Sequence, residues 1–247
     1  MSGEARMVDT GNDDVTRLSG EIAGHLRLTL DELGAVRENV RRLLDGVHAE
    51  GRRPSRVDLG GIRGELQACL GRPGHPMDGV GVAAAVGYLA DGDYWLEWWR
   101  HDRRGGLEFV AHSLSPRSDL FYDYSARNWF SAAAASGRTE IVGPYVDVGG
   151  TNAYTVTVSV PIDTDRGFAG IAGADIAVAR YERLLLSAGC AAPVVLTNAD
   201  LRVIASNRAE YLPGDLVRAD GAWGSLDVAA DVFPAGAAWK LFSPALP

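Results

Sequence analysis

The chain has 247 residues, more than one average domain and fewer than two, and its 23% charged and 47% hydrophobic residues are ordinary for a soluble globular protein. Lysine plus arginine (24) against aspartate plus glutamate (32) leaves a net charge of −8, which argues against nucleic-acid binding, because phosphate neutralisation needs a clustered basic face. Only Cys69 and Cys190 are present, which excludes a disulfide scaffold and a cysteine-based zinc module.

The opening MSGEARMVDTGNDD carries charge where a signal peptide has an apolar core, and the longest uncharged apolar stretch, Gly79 to Ala90, is too short to span a bilayer. These features predict a cytoplasmic chain with residues 1–12 as a disordered tail. From Asp13 or Asp14, apolar residues recur in steps of three and four at Val15, Leu18, Ile22, Leu26, Leu30, Leu33, Val36, Val40, Leu43 and Val47. That spacing predicts one helix over 14–48, roughly 50 Å long, stopped by Gly51 and Pro54. Such length suits docking on a second copy of the chain, or packing wholly along its own domain. A second helix is expected from Asp58, as cap, to Leu70, completing an N-terminal helical region over 13–75.

Strand texture follows at 79–88, 94–101 and 107–114, separated by turns at Asp91-Gly92-Asp93 and Arg103 to Gly106. In 94–101, Trp95, Glu97 and Trp99 share one face, and Leu96 and Trp98 the other. Alanine-rich 121–136 reads as a helix ended by Gly137. Strands return at 153–161 and 168–177, a helix at 178–188, and a strand pair at 193–198 and 201–206. Residues 211–247 are placed only loosely. The whole predicts an α+β fold: an antiparallel sheet of about five or six strands, a long leading helix, flanking helices, and one ligand-binding domain over 76–247.

Catalytic motifs are missing. The five histidines, His25, His48, His75, His101 and His112, have no metal-ligand spacing such as HExxH, and His101 opposite His112 across the expected hairpin reads as a chance surface pair. No G-x-S-x-G elbow, P-loop or helix-opening G-x-G-x-x-G occurs; Gly170-Ile-Ala-Gly173 lies inside a strand. Neither an enzyme nor a cofactor or metal is expected.

One constellation stands apart: Tyr122-Asp-Tyr-Ser-Ala-Arg127-Asn-Trp129-Phe130, then Gly143-Pro144-Tyr145-Val-Asp147, then Gly170-Ile-Ala-Gly173-Ala-Asp175-Ile176. Over about residues 80–206 it resembles the Cache domain, the sensor module of many bacterial chemoreceptors and histidine kinases, and within it the amino-acid-recognising type. Tyr122, Arg127, Trp129, Tyr145 and Asp175 match that pattern, and Phe130 stands where the family usually has tyrosine. The resemblance implies a PAS-like fold opened by a long helix. It also implies a site of Tyr122, Arg127, Trp129, Phe130, Tyr145 and Asp175. Most Cache domains sit between transmembrane helices; lacking these, the chain resembles a soluble, single-Cache relative that signals through a partner or only binds its ligand.

The chemistry of an α-amino acid fits these residue types. Its carboxylate suits an arginine fork, with the Trp129 indole and Tyr122 hydroxyl as further donors. Its ammonium needs acceptors, which Asp175 and Tyr145 supply. Each residue also has a plainer reading: Arg127 as a solvated helix residue, Trp129 as core, Tyr145 as a packed loop residue, Asp147 as a turn former. Asp175 among Ala172, Ala174 and Ile176 is the most telling, since a carboxylate there is costly without a partner. Helical geometry places Tyr122 in a loop before the helix, leaving Arg127 and Trp129 near its first turns. The leading expectation is a sensor for an α-amino acid or related amine-bearing carboxylate. The alternatives are a binder of another metabolite (carboxylate, polyamine or purine derivative) and an interaction protein, dimeric through helix 14–48, with a vestigial pocket. No nucleic acid or membrane partner is expected.

Overall fold

The computed structural model describes residues 10–102, 104–148, 152, 154–218, 223–233 and 237–246. Its contacts divide the chain into two compact units, one of Arg27–Ala177 and one of Met1–Leu26 with Val178–Pro247. The expected tail over 1–12 lies mostly outside the described residues, and the first helix, α1 (Thr10–Ala49), already includes 10–12. Val15, Leu18, Ile22, Leu26, Leu33, Val36, Val40 and Val47 are all buried in the chain itself, with Thr29 and Leu44 in the stripe where Leu30 and Leu43 were candidates. The apolar spacing that suggested a second subunit is therefore used within one chain. A dimer through α1 would need its other face, where Leu28 is half exposed.

The expected helix over 58–70 is two short ones, α2 (Arg56–Gly60) and α3 (Arg63–Leu70). Ser55, not Asp58, is the cap: its side chain accepts from the Asp58 N–H while the Asp58 carboxylate accepts from the Ser55 backbone, a reciprocal capping box.

In the unit of Arg27–Ala177, six strands form one antiparallel sheet: β1 (Gly79–Ala84), β2 (Leu96–His101), β3 (Leu107–Phe109), β4 (Glu140–Val146), β5 (Tyr154–Thr164) and β6 (Gly167–Ala177). Their order is β3-β2-β1-β6-β5-β4, with β1 and β6 central. This is the antiparallel sheet and long leading helix that the sequence predicts. Helix α3 packs on β1 and β2, while α4 (Asn128–Ser136) packs on β4, β5 and β6. The predicted alternation along β2 holds. Glu97 takes an ion pair from Arg63 of α3 and a hydrogen bond from Trp99, while Leu96 and Trp98 join a cluster with Tyr122, Tyr124, Trp129 and Phe130.

The expected single helix over 121–136 is a 3-10 turn (Tyr124–Ala126) followed by α4, with Arg127 between them in an extended conformation as N-cap. Tyr122 does precede the helix. The expected loop around Gly143-Pro144-Tyr145 is instead edge strand β4. Proline is tolerated on an edge strand, and a bulge between Val142 and Tyr145 absorbs the irregularity.

The other unit has its own four-stranded sheet, order β8-β7-β10-β9, built from β7 (Val195–Thr197), β8 (Val203–Ser206), β9 (Gly224–Val228) and β10 (Trp239–Ser243). Helix α5 (Val178–Ser187) packs on β8, and Tyr181 meets Trp239 edge to face at 5.5 Å. The expectation of one domain over 76–247 is corrected accordingly: two sheets share that span, and the loosely placed tail supplies two strands of the smaller one.

Candidate functional site

The site is built on glycines. Gly79 and Gly81 of β1 pair with Asp175 and Gly173 of β6, and Gly81 also pairs with Trp98 of β2. With no Cβ on these three, the Trp98 indole lies flat on the sheet. A Cβ at Gly173 would stand 2.8 Å from its Cη2 and one at Gly79 3.2 Å from its Nε1. Glycine inside a strand marks such a close approach. Lying there, the indole Nε1–H donates to Asp175 Oδ2 at 3.0 Å.

Asp175 is buried, and its other oxygen accepts from the Thr157 hydroxyl at 2.6 Å. Thr157 lies on β5 directly opposite Asp175, and its oxygen in turn takes the Tyr145 hydroxyl at 2.6 Å. The bulge in β4 brings Tyr145 into this relay. Asp147, just beyond β4, is also buried and accepts a long 3.3 Å hydrogen bond from the Tyr122 hydroxyl. Tyr122 stacks on the His112 ring at 4.4 Å, and Trp129, in the first turn of α4, lies over Trp98 at 5.6 Å. Tyr124, fully buried, anchors this segment to the sheet: its hydroxyl donates to the Ala84 carbonyl and accepts from the Trp95 N–H.

These side chains form a narrow cleft lined by Leu96, Trp98, His112, Tyr122, Trp129, Tyr145, Asp147 and Asp175. Four of the six expected site residues line it: Tyr122, Trp129, Tyr145 and Asp175. Phe130 does not; it is core, packed against Tyr124, Trp129 and Phe168, so its missing hydroxyl removes no contact from the cleft. Arg127 also stands outside the lining. It is exposed, its guanidinium 5.0 Å from the Tyr122 ring centroid and 3.4 Å from the Val148 carbonyl. Asp147, read as a turn former, is a wall of the cleft. Trp98 and His112 carry no sequence signal of their own. The histidine expectation is corrected too: His101 meets His75, while His112 meets Tyr122.

Burial dominates the electrostatics. It pushes the Asp175 carboxyl up to about 7, against the opposing hydrogen bonds from Thr157 and Trp98 and with help from nearby Asp147. It raises the Tyr122 and Tyr145 hydroxyls, which stay protonated, and lowers His112, which favours a neutral imidazole. The cleft thus holds two carboxyls, four aromatic rings besides the imidazole, and no cationic side chain among its lining residues.

Because the Asp175 carboxyl in the folded chain sits above the ordinary aspartate value of 3.8, the folded chain holds this proton more tightly than the unfolded chain. That contribution to stability is full below about pH 4 and is lost as pH rises through about 7, at up to about 1.4 kcal/mol per pH unit. Melting temperatures of wild type and Asp175→Asn from pH 4.5 to 8.5 check this. The difference between them is expected to move in the variant's favour as pH rises, and a constant difference counts against it.

Residues 100–182, about a third of the chain, match the family model described as the first PDC sensor domain of methyl-accepting chemotaxis protein-like proteins. That span holds all six expected site residues and Asp147. No curated protein matches the chain. Among solved structures, "Methyl-accepting Chemotaxis protein X" is 17% identical with a TM-score of 0.70, over 95% of this chain and 96% of that one. The periplasmic sensory domain of the Campylobacter jejuni chemoreceptor Tlp1 is 11% identical, TM-score 0.65, over 92% and 90%. The ligand-binding domain of the Pseudomonas aeruginosa PAO1 amino acid chemoreceptor PctC, in complex with GABA, is 16% identical, TM-score 0.58, over 92% and 95%. The fold is that of PDC, or Cache-like, sensor domains.

Proposed function

We propose that the chain is a sensor domain that binds a small amine-bearing carboxylate, an α-amino acid or a close relative, through the cleft over β1 and β6. The observation that carries this reading is that Asp147 and Asp175 stand together in one small aromatic cleft whose lining residues include no positively charged side chain. A ligand ammonium supplies that charge and three donors, and the faces of Trp98, Trp129, Tyr122 and Tyr145 favour a cation further. The ligand carboxylate then points outward, to the start of α4, which no side chain caps, and to Arg127 once it releases the Val148 carbonyl. The amino acid chemoreceptor PctC, whose ligand-binding domain is in complex with GABA, supports the class of ligand. The role is binding rather than catalysis, and a partner reads the bound state.

A thermal-shift panel tests this: the twenty amino acids, GABA, a diamine, and deaminated and decarboxylated analogues of the best ligand. A primary amine is expected to raise the melting temperature with rising concentration, by the equivalent of about 2.7 kcal/mol at a hundred times Kd. The deaminated analogue is expected to do nothing. A response to carboxylates that lack an amine overturns the reading, as does silence across the panel. A diamine outranking every amino acid keeps the cation site and removes Arg127 from it.

The cytoplasmic location expected of this chain stands as a proposal, whereas the Tlp1 domain is described as periplasmic. Among the described residues no helix is long and apolar enough to cross a membrane. Fractionation of the native cells decides the location.

A further inference from the structure

Outside the cleft, the end of β2 carries a second pair of side chains with its own chemistry. His101 closes the strand, held by its backbone N–H on the Asp78 carbonyl at 3.1 Å. His75 lies between α3 and β1, and both side chains are half-buried. Their Nε2 atoms are 3.3 Å apart, with ring centroids at 5.4 Å and planes only 14° from parallel. The centroid separation exceeds the nitrogen separation by about 2 Å, close to two imidazole radii. The rings therefore meet edge to edge, Nε2 towards Nε2, and not face over face.

We propose that His75 and His101 form a two-imidazole site for a divalent first-row transition ion, Zn²⁺ or Cu²⁺, completed by water. Two metal–imidazole bonds of about 2.0–2.1 Å at a tetrahedral angle set their nitrogens roughly 3.3–3.4 Å apart, the spacing already present. Imidazole is a ligand both ions accept. Among the described residues no group of three His, Cys, Asp or Glu could hold a metal, so water fills the other positions and binding is modest. Copper binds more tightly than zinc, following the general order for such ligands. The two histidines are 26 residues apart and are joined only by the fold, which explains why no sequence motif announces them.

Calorimetric titration of the whole chain with ZnCl₂ and CuCl₂ tests the site, on wild type, His75→Gln, His101→Gln and, as control, His48→Gln. Wild type and the control are expected to take one ion per chain at micromolar concentration, with either site variant weakened about tenfold or more. A second measurement needs no variant: substoichiometric Cu²⁺ should broaden the ring proton signals of two of the five histidines first. Binding unchanged in both site variants, no binding below about 1 mM, or broadening spread evenly over all five overturns the proposal. The pair is then an ordinary N–H···N hydrogen bond.

Discussion

Asp175→Asn is expected to weaken binding of the best amine ligand by about 30- to 4,000-fold, while making the ligand-free protein more stable above pH 7. The loss follows from leaving the ammonium buried against an uncharged amide, about 2–5 kcal/mol at 1.4 kcal/mol per decade. The gain in stability has a separate origin. A carboxyl that burial pushes up to about 7 is costly to ionise, and asparagine of the same shape removes that cost. Its amide still fits the two neighbours: the oxygen accepts from Trp98 Nε1, and the nitrogen donates to Thr157 once that hydroxyl turns. Opposite signs for binding and stability separate a ligand site from a merely structural buried carboxylate, whose loss would lower stability alone. For wild type, amine affinity should also climb as pH rises through about 7, because Asp175 must lose its proton to pair with the ammonium. Calorimetry at pH 6 and 8 measures this, and Asp175→Asn should show little of that dependence. Binding within threefold of wild type, about 0.7 kcal/mol, removes Asp175 from the site.

Much of this arrangement was legible in local pattern. The β2 alternation assigned Glu97 and Trp98 to opposite faces, and the odd carboxylate at 175 in an apolar strand marked the cleft. Where local and tertiary signals diverged, the sequence misled. Gly143 and Pro144 argue for a loop, yet an edge strand needs fewer ladder hydrogen bonds and β4 accommodates both with a bulge. Arg127 matches a spacing, but spacing does not say whether the side chain turns into the cleft or lies over Tyr122 at its edge. Phe130 follows Trp129 by one residue, and successive helical residues point about 100° apart, so one faces the cleft and the other the core. Trp98, one of six tryptophans, becomes a site residue only through glycines up to 75 positions away. That coupling is long-range, and no local periodicity encodes it.

Those glycines carry the second large effect. Gly173→Ala is expected to lower stability by about 1–3 kcal/mol, where alanine for glycine in a regular element ordinarily raises it by about 0.5–1. The added Cβ meets Trp98 Cη2 at 2.8 Å and Ile171 Cδ1 at 3.0 Å, so the indole must lift from the sheet. Lifting carries Nε1 away from Asp175 Oδ2, and the cleft loses both its floor and one of the two hydrogen bonds that hold the carboxyl. Gly81→Ala should be worse, because its Cβ meets the Glu97 backbone carbonyl as well as the indole, and the β1–β2 ladder cannot yield as a side chain can. Gly64→Ala, on an exposed position of α3 with nothing within 4 Å, is the counterpart that should stabilise. Adding Trp98→Phe to Gly173→Ala removes the part of the ring that collides. Stability should then recover in part, a coupling that a double-mutant cycle in denaturant measures. Ligand affinity should stay low, since phenylalanine cannot donate to Asp175. If Gly173→Ala melts at or above wild type, the indole does not lie on the sheet, and Asp175 is oriented by something other than Trp98.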